Sequence, residues 1–237
     1  MRILLTNDDG LTAPGIQALH AALEGLGEII TVAPATVQSA MSHKVTFHAP
    51  MLVHEVEVNP TMRGLAVEGS PAAAVESAFL GVPAIAVSLH LGRVDRIRFD
   101  RAAAIARVAI EKVLAHRIDP HSVININVPR TESDDAPVPP IRVVAMNTAA
   151  GADGFERRTG PRGQSYYWPN GNGMEFVHTR EGSDVEALHE RCITVTPLQY
   201  DLTDHARLAS WRDRLARDRL CRRRGVATRR APAACGS

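Results

Sequence analysis

The first 34 residues narrow the choice of fold more than any other part of the chain. Ile3 to Thr6 is a short apolar run that stops at Asn7-Asp8-Asp9-Gly10, the pattern of a buried strand entering a turn. After Pro14-Gly15, the residues Ile16, Leu19, Leu23 and Leu26 recur at helical spacing; Gly27 stops that run, and Ile29 to Ala33 is a second apolar strand ended by Pro34. Strand, helix and strand in so short a stretch predict a βαβ unit. Its strands must be parallel and its crossover right-handed, because a tight turn cannot join parallel neighbours. In such sheets ligands gather at the carboxyl ends of the strands, where Asp8, Asp9 and the loop after Ala33 fall.

Further along, Ala84-Ile85-Ala86-Val87-Ser88 reads as another buried strand, after a short helix predicted over 71–80 and the turn Gly81-Val82-Pro83. Ala106, Ala109, Ile110, Val113 and Leu114 match one helical face, and Val123 to Val128 follows as a strand in which Ile124, Ile126 and Val128 alternate with Asn125 and Asn127. The alternation favours edge or turn hydrogen bonding over ligation for the two asparagines. These elements predict an α/β, Rossmann-like, doubly wound and mostly parallel sheet, with a core over 1–130 in a single domain over 1–215. From Thr131 the character changes to Pro-, Gly- and Arg-rich sequence, and Tyr166-Tyr167-Trp168 predicts hairpin excursions whose aromatics pack on something, a partner subunit included. Cys192 to Thr196 reads as a last strand closed by Pro197, with a helix from about Asp204. The segment 221–237 is expected to be a disordered basic tail.

Composition sets the remaining bounds. A chain of 237 residues with 45% apolar and 22% charged residues can bury a substantial core. Its net charge is +1, but five arginines and no acid lie in 221–237, so residues 1–220 carry −4. That balance argues against nucleic acid as the body's partner and confines an electrostatic role to the tail. Only Lys44 and Lys112 are lysines, which reads as coding bias. Cys192, Cys221 and Cys235 are odd in number and lack metal-ligand spacing, so neither a disulfide framework nor a zinc module is expected, and a reducing cytoplasm fits. The N-terminus meets Asp8 too soon for a signal peptide, and no apolar run is long enough to span a membrane.

Two adjacent carboxylates at a strand end suit a hard divalent cation, which takes oxygen ligands from carboxylates, water and phosphate. Taken alone, Asn-Asp-Asp-Gly serves equally as a turn or helix cap. The loop from Ala33 to His43 adds the hydroxyls of Thr36, Ser39 and Ser42 at the same edge. Several other chemistries lack their residues: no Gly-x-Gly-x-x-Gly follows the first strand, no Gly-x-x-x-x-Gly-Lys-Ser/Thr occurs, and the paired acids are adjacent where a haloacid-dehalogenase-type phosphatase has Asp-x-Asp.

The run Thr6-Asn7-Asp8-Asp9-Gly10, then Val32-Ala33-Pro34 with Gln38-Ser39-Ala40, resembles the SurE (stationary-phase survival) nucleotidase family. The similarity continues, in order, through Gly69-Ser70-Pro71-Ala72, Gly81-Val82-Pro83-Ala84, Asn125-Ile126-Asn127-Val128-Pro129, Tyr166-Tyr167-Trp168 and Ile193-Thr194-Val195-Thr196-Pro197-Leu198, spanning about residues 1–215. The resemblance implies a metal-dependent phosphatase acting on nucleoside 5′- and 3′-monophosphates, with one Mg²⁺ or Mn²⁺ per subunit and a homodimeric or homotetrameric assembly. It implies Asp8, Asp9 and Ser39 as metal ligands, Asp8 and Asp9 as the catalytic pair, and Asn7, Ser70 and His43 as substrate contacts. The family's fourth ligand is an asparagine in a Gly-rich segment that follows a parallel strand. Here Gly69-Ser70-Pro71-Ala72 runs straight into Ala73-Ala74-Val75-Glu76, so that strand, the asparagine and most of the phosphate loop are missing. A remnant that only oligomerises or weakly binds nucleotide is the competing expectation.

Overall fold

The structure, a computed structural model, describes residues 1–37, 52–68, 80–91, 97–130, 133, 136–149, 155–169, 179–199, 201 and 203–224. The chain forms two units, Met1–Tyr200 and Asp201–Ser237. In the first, β1 (Arg2–Leu5), α1 (Pro14–Leu23) and β2 (Glu28–Pro34) make the expected βαβ unit, with Arg2 opposite Glu28 and Leu5 opposite Thr31 in parallel register. Pro14 sits in the first turn of α1, where its missing N–H costs nothing. A hairpin follows, β3 (Val53–Asn59) and β4 (Met62–Val67), with β4 parallel to β2, so the first sheet runs β1-β2-β4-β3. The hairpin escaped the sequence reading, although Val56 and Val58 alternate with Glu55 and Glu57 in the strand that builds it.

A second sheet is built from β5 (Ala84–Leu89), β6 (Val123–Val128), β7 (Ile141–Val143) and β10 (Ile193–Leu198), in the order β5-β6-β10-β7. β5 and β6 are parallel, linked through the helix α2 (Phe99–Leu114), and β10 returns antiparallel along β6. The last strand passes through Pro197 to Leu198, beyond the expected stop. Proline is tolerated there because pairing with β7 ends at Val195, which leaves that side of Pro197 without a ladder partner. The segment predicted as a helix over 71–80 falls almost wholly outside the described residues. A second hairpin, β8 (Phe155–Thr159) with β9 (Ser165–Pro169), stands as its own two-stranded sheet. Its aromatics find little cover within the chain: Phe155 and Tyr167 are both 66% exposed. The helix α3 (Asp184–His189) precedes β10 and starts at a capping box, with Ser183 Oγ accepting from Glu186 N and Glu186 accepting from Gly182 N.

Among the described residues, β1 is hydrogen-bonded to β2 alone and β5 to β6 alone. Among the described residues the parallel sheet is thus split between β1 and β5. Leu4 and Ile30, apolar residues of parallel strands, are 64% and 41% exposed. A parallel sheet covered on both faces would bury them.

The two half-sheets share one core through their helices. α1 packs on β2 and β4, α2 packs on β5 and β6, and the two helices lie against each other. Leu5, Ile16, Leu23 and Ala66 from the first half join Ile105, Ala106, Ala109, Ile126 and Ile193 from the second in a single buried cluster. Ala106 and Ala109 are fully buried, so small side chains let α2 settle closely. Arg107 extends across the seam: its Nη1 donates to the carbonyls of Ala22 and Glu24, at 2.6 and 2.8 Å, and its Nε to Glu111 at 2.8 Å. It thereby caps the orphan carbonyls at the end of α1 with a cation.

Arg107→Ala is expected to lower stability by about 1–3 kcal/mol, since charge-assisted bonds to a half-buried and an exposed carbonyl are lost. Arg63→Ala, which breaks a pair with Glu57 exposed on both sides, should change it by less than about 0.5 kcal/mol. Urea denaturation of the two variants beside the parent checks both values.

Candidate functional site

The acidic turn at the carboxyl end of β1 is held by its own first residue. Asn7 Nδ2 donates to the Gly10 carbonyl at 3.1 Å, and Gly10 N donates back to Asn7 Oδ1 at 3.2 Å. Gly10 has φ +102°, a conformation that L side chains rarely adopt, and a Cβ there would meet the Pro34 carbonyl at 3.3 Å. Leu11 N donates to that same carbonyl at 3.0 Å, which ties the turn to the end of β2. Between these anchors Asp8 and Asp9 stand exposed, with no ion-pair partner among the described residues. Leu11, 2% exposed, pins the far side of the turn into the core.

The structure therefore gives Asn7 a positioning role: its amide closes the turn that presents the two carboxylates. Sequence spacing placed Asn7 beside the acids but carried no signal of this clamp, apart from the glycine three residues on. Ser39, His43 and Ser70, the other residues expected at the site, lie outside the described residues. Among the described residues no group of three or more His, Cys, Asp or Glu side chains is placed to hold a metal ion. The donor chemistry of Asp8 and Asp9 fits a hard divalent cation: two adjacent anionic oxygen ligands, without an ion-pair partner among the described residues, on a clamped turn open to water and phosphate oxygens. They would form part of a coordination shell, with the rest left to other oxygens.

A second group of polar side chains lies at the carboxyl end of β5. His90 N donates to the Val128 carbonyl at 2.9 Å, and the His90 ring lies 6.1 Å from that of His189, tilted by 42°. Burial, and then the positive charges of His189, Arg130 and Arg191, hold the His90 imidazole below its ordinary pKa and favour its neutral form. Arg191 Nη1 donates to the Arg130 carbonyl at 3.0 Å from a backbone with φ +61°. His189 and Arg191 lie some 100 residues from His90, so nothing local in the sequence marks their approach. Asn127 sits on an interior strand, not at the edge or turn its alternation suggested, and its Nδ2 donates to Thr194 Oγ1 across the β6–β10 pair at 3.2 Å.

A βαβ-based split sheet with α1 and α2 across the seam, and a clamped acidic turn at a strand's carboxyl end, define an α/β protein of the doubly wound class with its site at the strand ends. The comparisons narrow this. The family model described as "Survival protein SurE" matches residues 3–79 and 72–151. The chain is 35% identical to the 5′-nucleotidase SurE of Rhodopirellula baltica, over 90% of this chain and 98% of that protein, and 32% identical to that of Variovorax paradoxus, over 92% and 99%. It resembles the crystal structure of the SurE protein from Aquifex aeolicus with a TM-score of 0.73 at 27% identity, covering 89% of this chain and 98% of that one. The chain belongs to the SurE family.

The same comparisons bear on the missing strand. The two family matches overlap at residues 72–79, so this stretch is matched twice, as a fusion of two motifs would be. The alignment with the Rhodopirellula protein runs over 253 positions yet uses 90% of 237 residues, which leaves about 40 positions of that relative facing no residue here. Together with the split between β1 and β5, this supports the loss of a strand-bearing segment.

Asp8→Asn is expected to weaken divalent-cation binding at least tenfold, because carboxylate charge is the chief attraction for a hard ion. Titration calorimetry with Mn²⁺ on parent and variant checks this; equal affinity would remove Asp8 from the ligand set.

Proposed function

We propose that this chain is a metal-dependent phosphatase that hydrolyses nucleoside 5′-monophosphates, and also 3′-monophosphates, to nucleoside and phosphate. The observation that carries the reading is the clamped Asp8-Asp9 turn at the carboxyl end of a parallel strand, in a family whose relatives bear the name 5′-nucleotidase. Asp8 and Asp9 would hold one Mg²⁺ or Mn²⁺ per subunit, with Ser39 as a further oxygen ligand. When bound, the ion supplies positive charge to the phosphoryl oxygens and makes a water a better nucleophile at neutral pH.

The chain's own residues do the rest. The Asn7–Gly10 clamp keeps both carboxylates on one turn, so their positions are set before substrate arrives and little is lost to reorganisation. Ser70 and His43 are assigned to the substrate phosphate, and either carboxylate can take the proton released by the attacking water. Direct attack by water needs no covalent intermediate. The exposed aromatics Phe155 and Tyr167 on the β8–β9 hairpin favour a homodimer or homotetramer in which a second subunit covers them. The described residues include no helix long and apolar enough to cross a membrane, and the composition suits a cytoplasmic setting.

Purified protein given AMP and Mn²⁺ is expected to release phosphate, to stop on addition of a chelator and to recover when Mn²⁺ is restored. Release that ignores the chelator would contradict metal dependence; absence of release at any metal concentration would favour the non-catalytic remnant.

A further inference from the structure

Four side chains that the nucleotidase reading leaves unused meet where the second half-sheet ends. β5 and β6 run parallel with Leu89 opposite Val128, and β10 returns antiparallel with Thr194 opposite Asn127. His90 and Arg130, just past the ends of β5 and β6, are thereby gathered with His189 and Arg191, just before β10. The His90 and His189 rings lie 6.1 Å apart, and Arg191 Nη1 donates to the Arg130 carbonyl at 3.0 Å.

The same edge of the fold carries the acidic turn. Gly15, in the first turn of α1, lies against the Phe99 ring that opens α2, so that a Cβ on it would stand 3.5 Å from that ring. Arg107, two turns into α2, reaches Ala22 and Glu24 at the end of α1. The two helices therefore run parallel. Each follows the carboxyl end of its strand, which puts the His90 group and Asp8-Asp9 on one side of the first unit.

Burial, and then the positive charges of His189, Arg130 and Arg191, keep the His90 ring neutral. Glu190, which lies between His189 and Arg191 in the chain, pairs with Arg142. A metal ion would meet two guanidiniums beside the imidazoles, and among the described residues no third His, Cys, Asp or Glu completes a shell for it. An oxyanion meets donors instead, since each guanidinium carries five N–H groups and no acceptor, and an imidazole N–H adds to them. It also relieves the mutual repulsion of the crowded cations. Phosphate, with more acceptor oxygens than a carboxylate, suits donors that arrive from three strand ends. Arg191 further holds φ +61°, a left-handed backbone that glycine adopts freely and a long side chain does not. We propose that His90, Arg130, His189 and Arg191 form a phosphate-binding site that needs no metal ion. It shares no residue with the site assigned above and is independent of the nucleotidase reading.

The test is titration calorimetry on the full chain, stripped of metal by a chelator and dialysed. Inorganic phosphate and AMP should both bind, and adenosine should not. Arg191→Gly should weaken both at least about tenfold, through the loss of charge-assisted bonds. Because glycine suits that backbone, its melting temperature should not fall, so the loss cannot be put down to unfolding. His189→Gln should weaken binding several-fold. In proton–carbon NMR spectra the His90 and His189 ring signals should shift with added phosphate while that of His20, buried on α1, stays in place. Absence of phosphate binding, unchanged affinity in both variants, or binding that leaves the His90 and His189 signals unmoved would overturn the proposal. Binding of AMP without inorganic phosphate would overturn phosphate as the group recognised.

Discussion

The packing of α1 on α2 is the interaction on which the first unit depends. Among the described residues no hydrogen bond of the sheet crosses from β1 to β5, and the contacts that join the two halves are made by side chains: the small face of Ala106 and Ala109, the shared apolar cluster, and the Arg107 cap on the end of α1. A sheet ladder divides its load over many backbone bonds, whereas this seam concentrates it on one helix pair. The arrangement keeps β1 and its acidic turn in place although one edge of that strand has no described partner.

The acidic turn is anchored more locally than the fold. Asp8 and Asp9 are placed by the end of β1, by the Asn7–Gly10 clamp and by the Pro34 carbonyl of β2, all within the first half-sheet. The acidic half of the site is therefore self-sufficient. The resemblance to the family implies an asparagine and a phosphate loop after the next strand, and we propose that this is the part missing after Gly69. Two carboxylates on a rigid turn can attract a divalent ion, but catalysis also asks for donors aimed at the charge that develops on phosphate.

How much of this could be read in the sequence differs by element. The βαβ start was legible because apolar period, glycine stop and turn residues agree within one short stretch. β5, α2 and β6 were legible for the same reason, from runs such as Ala84 to Ser88 and the face from Ala106 to Leu114. The β3–β4 hairpin was missed because its loop, Pro60-Thr61, lacks the Asn-Gly or Asp-Gly pair that marks a two-residue turn. Strand pairing across long separations, such as β10 between β6 and β7, leaves no local trace. The acids of the site were visible as a motif. What holds them, a side chain bonding three residues ahead and a carbonyl from another strand, is tertiary and was not. The approach of His90 to His189 and the reach of Arg107 over α1 were hidden for the same reason.

This chain keeps the acidic turn, and we propose that it lacks the strand that would join β1 to β5 and complete the phosphate site. The most direct measurement compares the chain with a version carrying a family-like strand and Asn-containing loop inserted between Gly69 and Ala73, scored by melting temperature and by phosphate release from AMP. Removing one preorganised donor near developing charge commonly costs about 10²-fold to 10³-fold in rate. The inserted version is therefore expected to melt higher and turn over AMP faster by at least that order. Equal melting temperature and equal turnover in the two chains would show that Asp8 and Asp9, with the residues already present, suffice, and would contradict the claim.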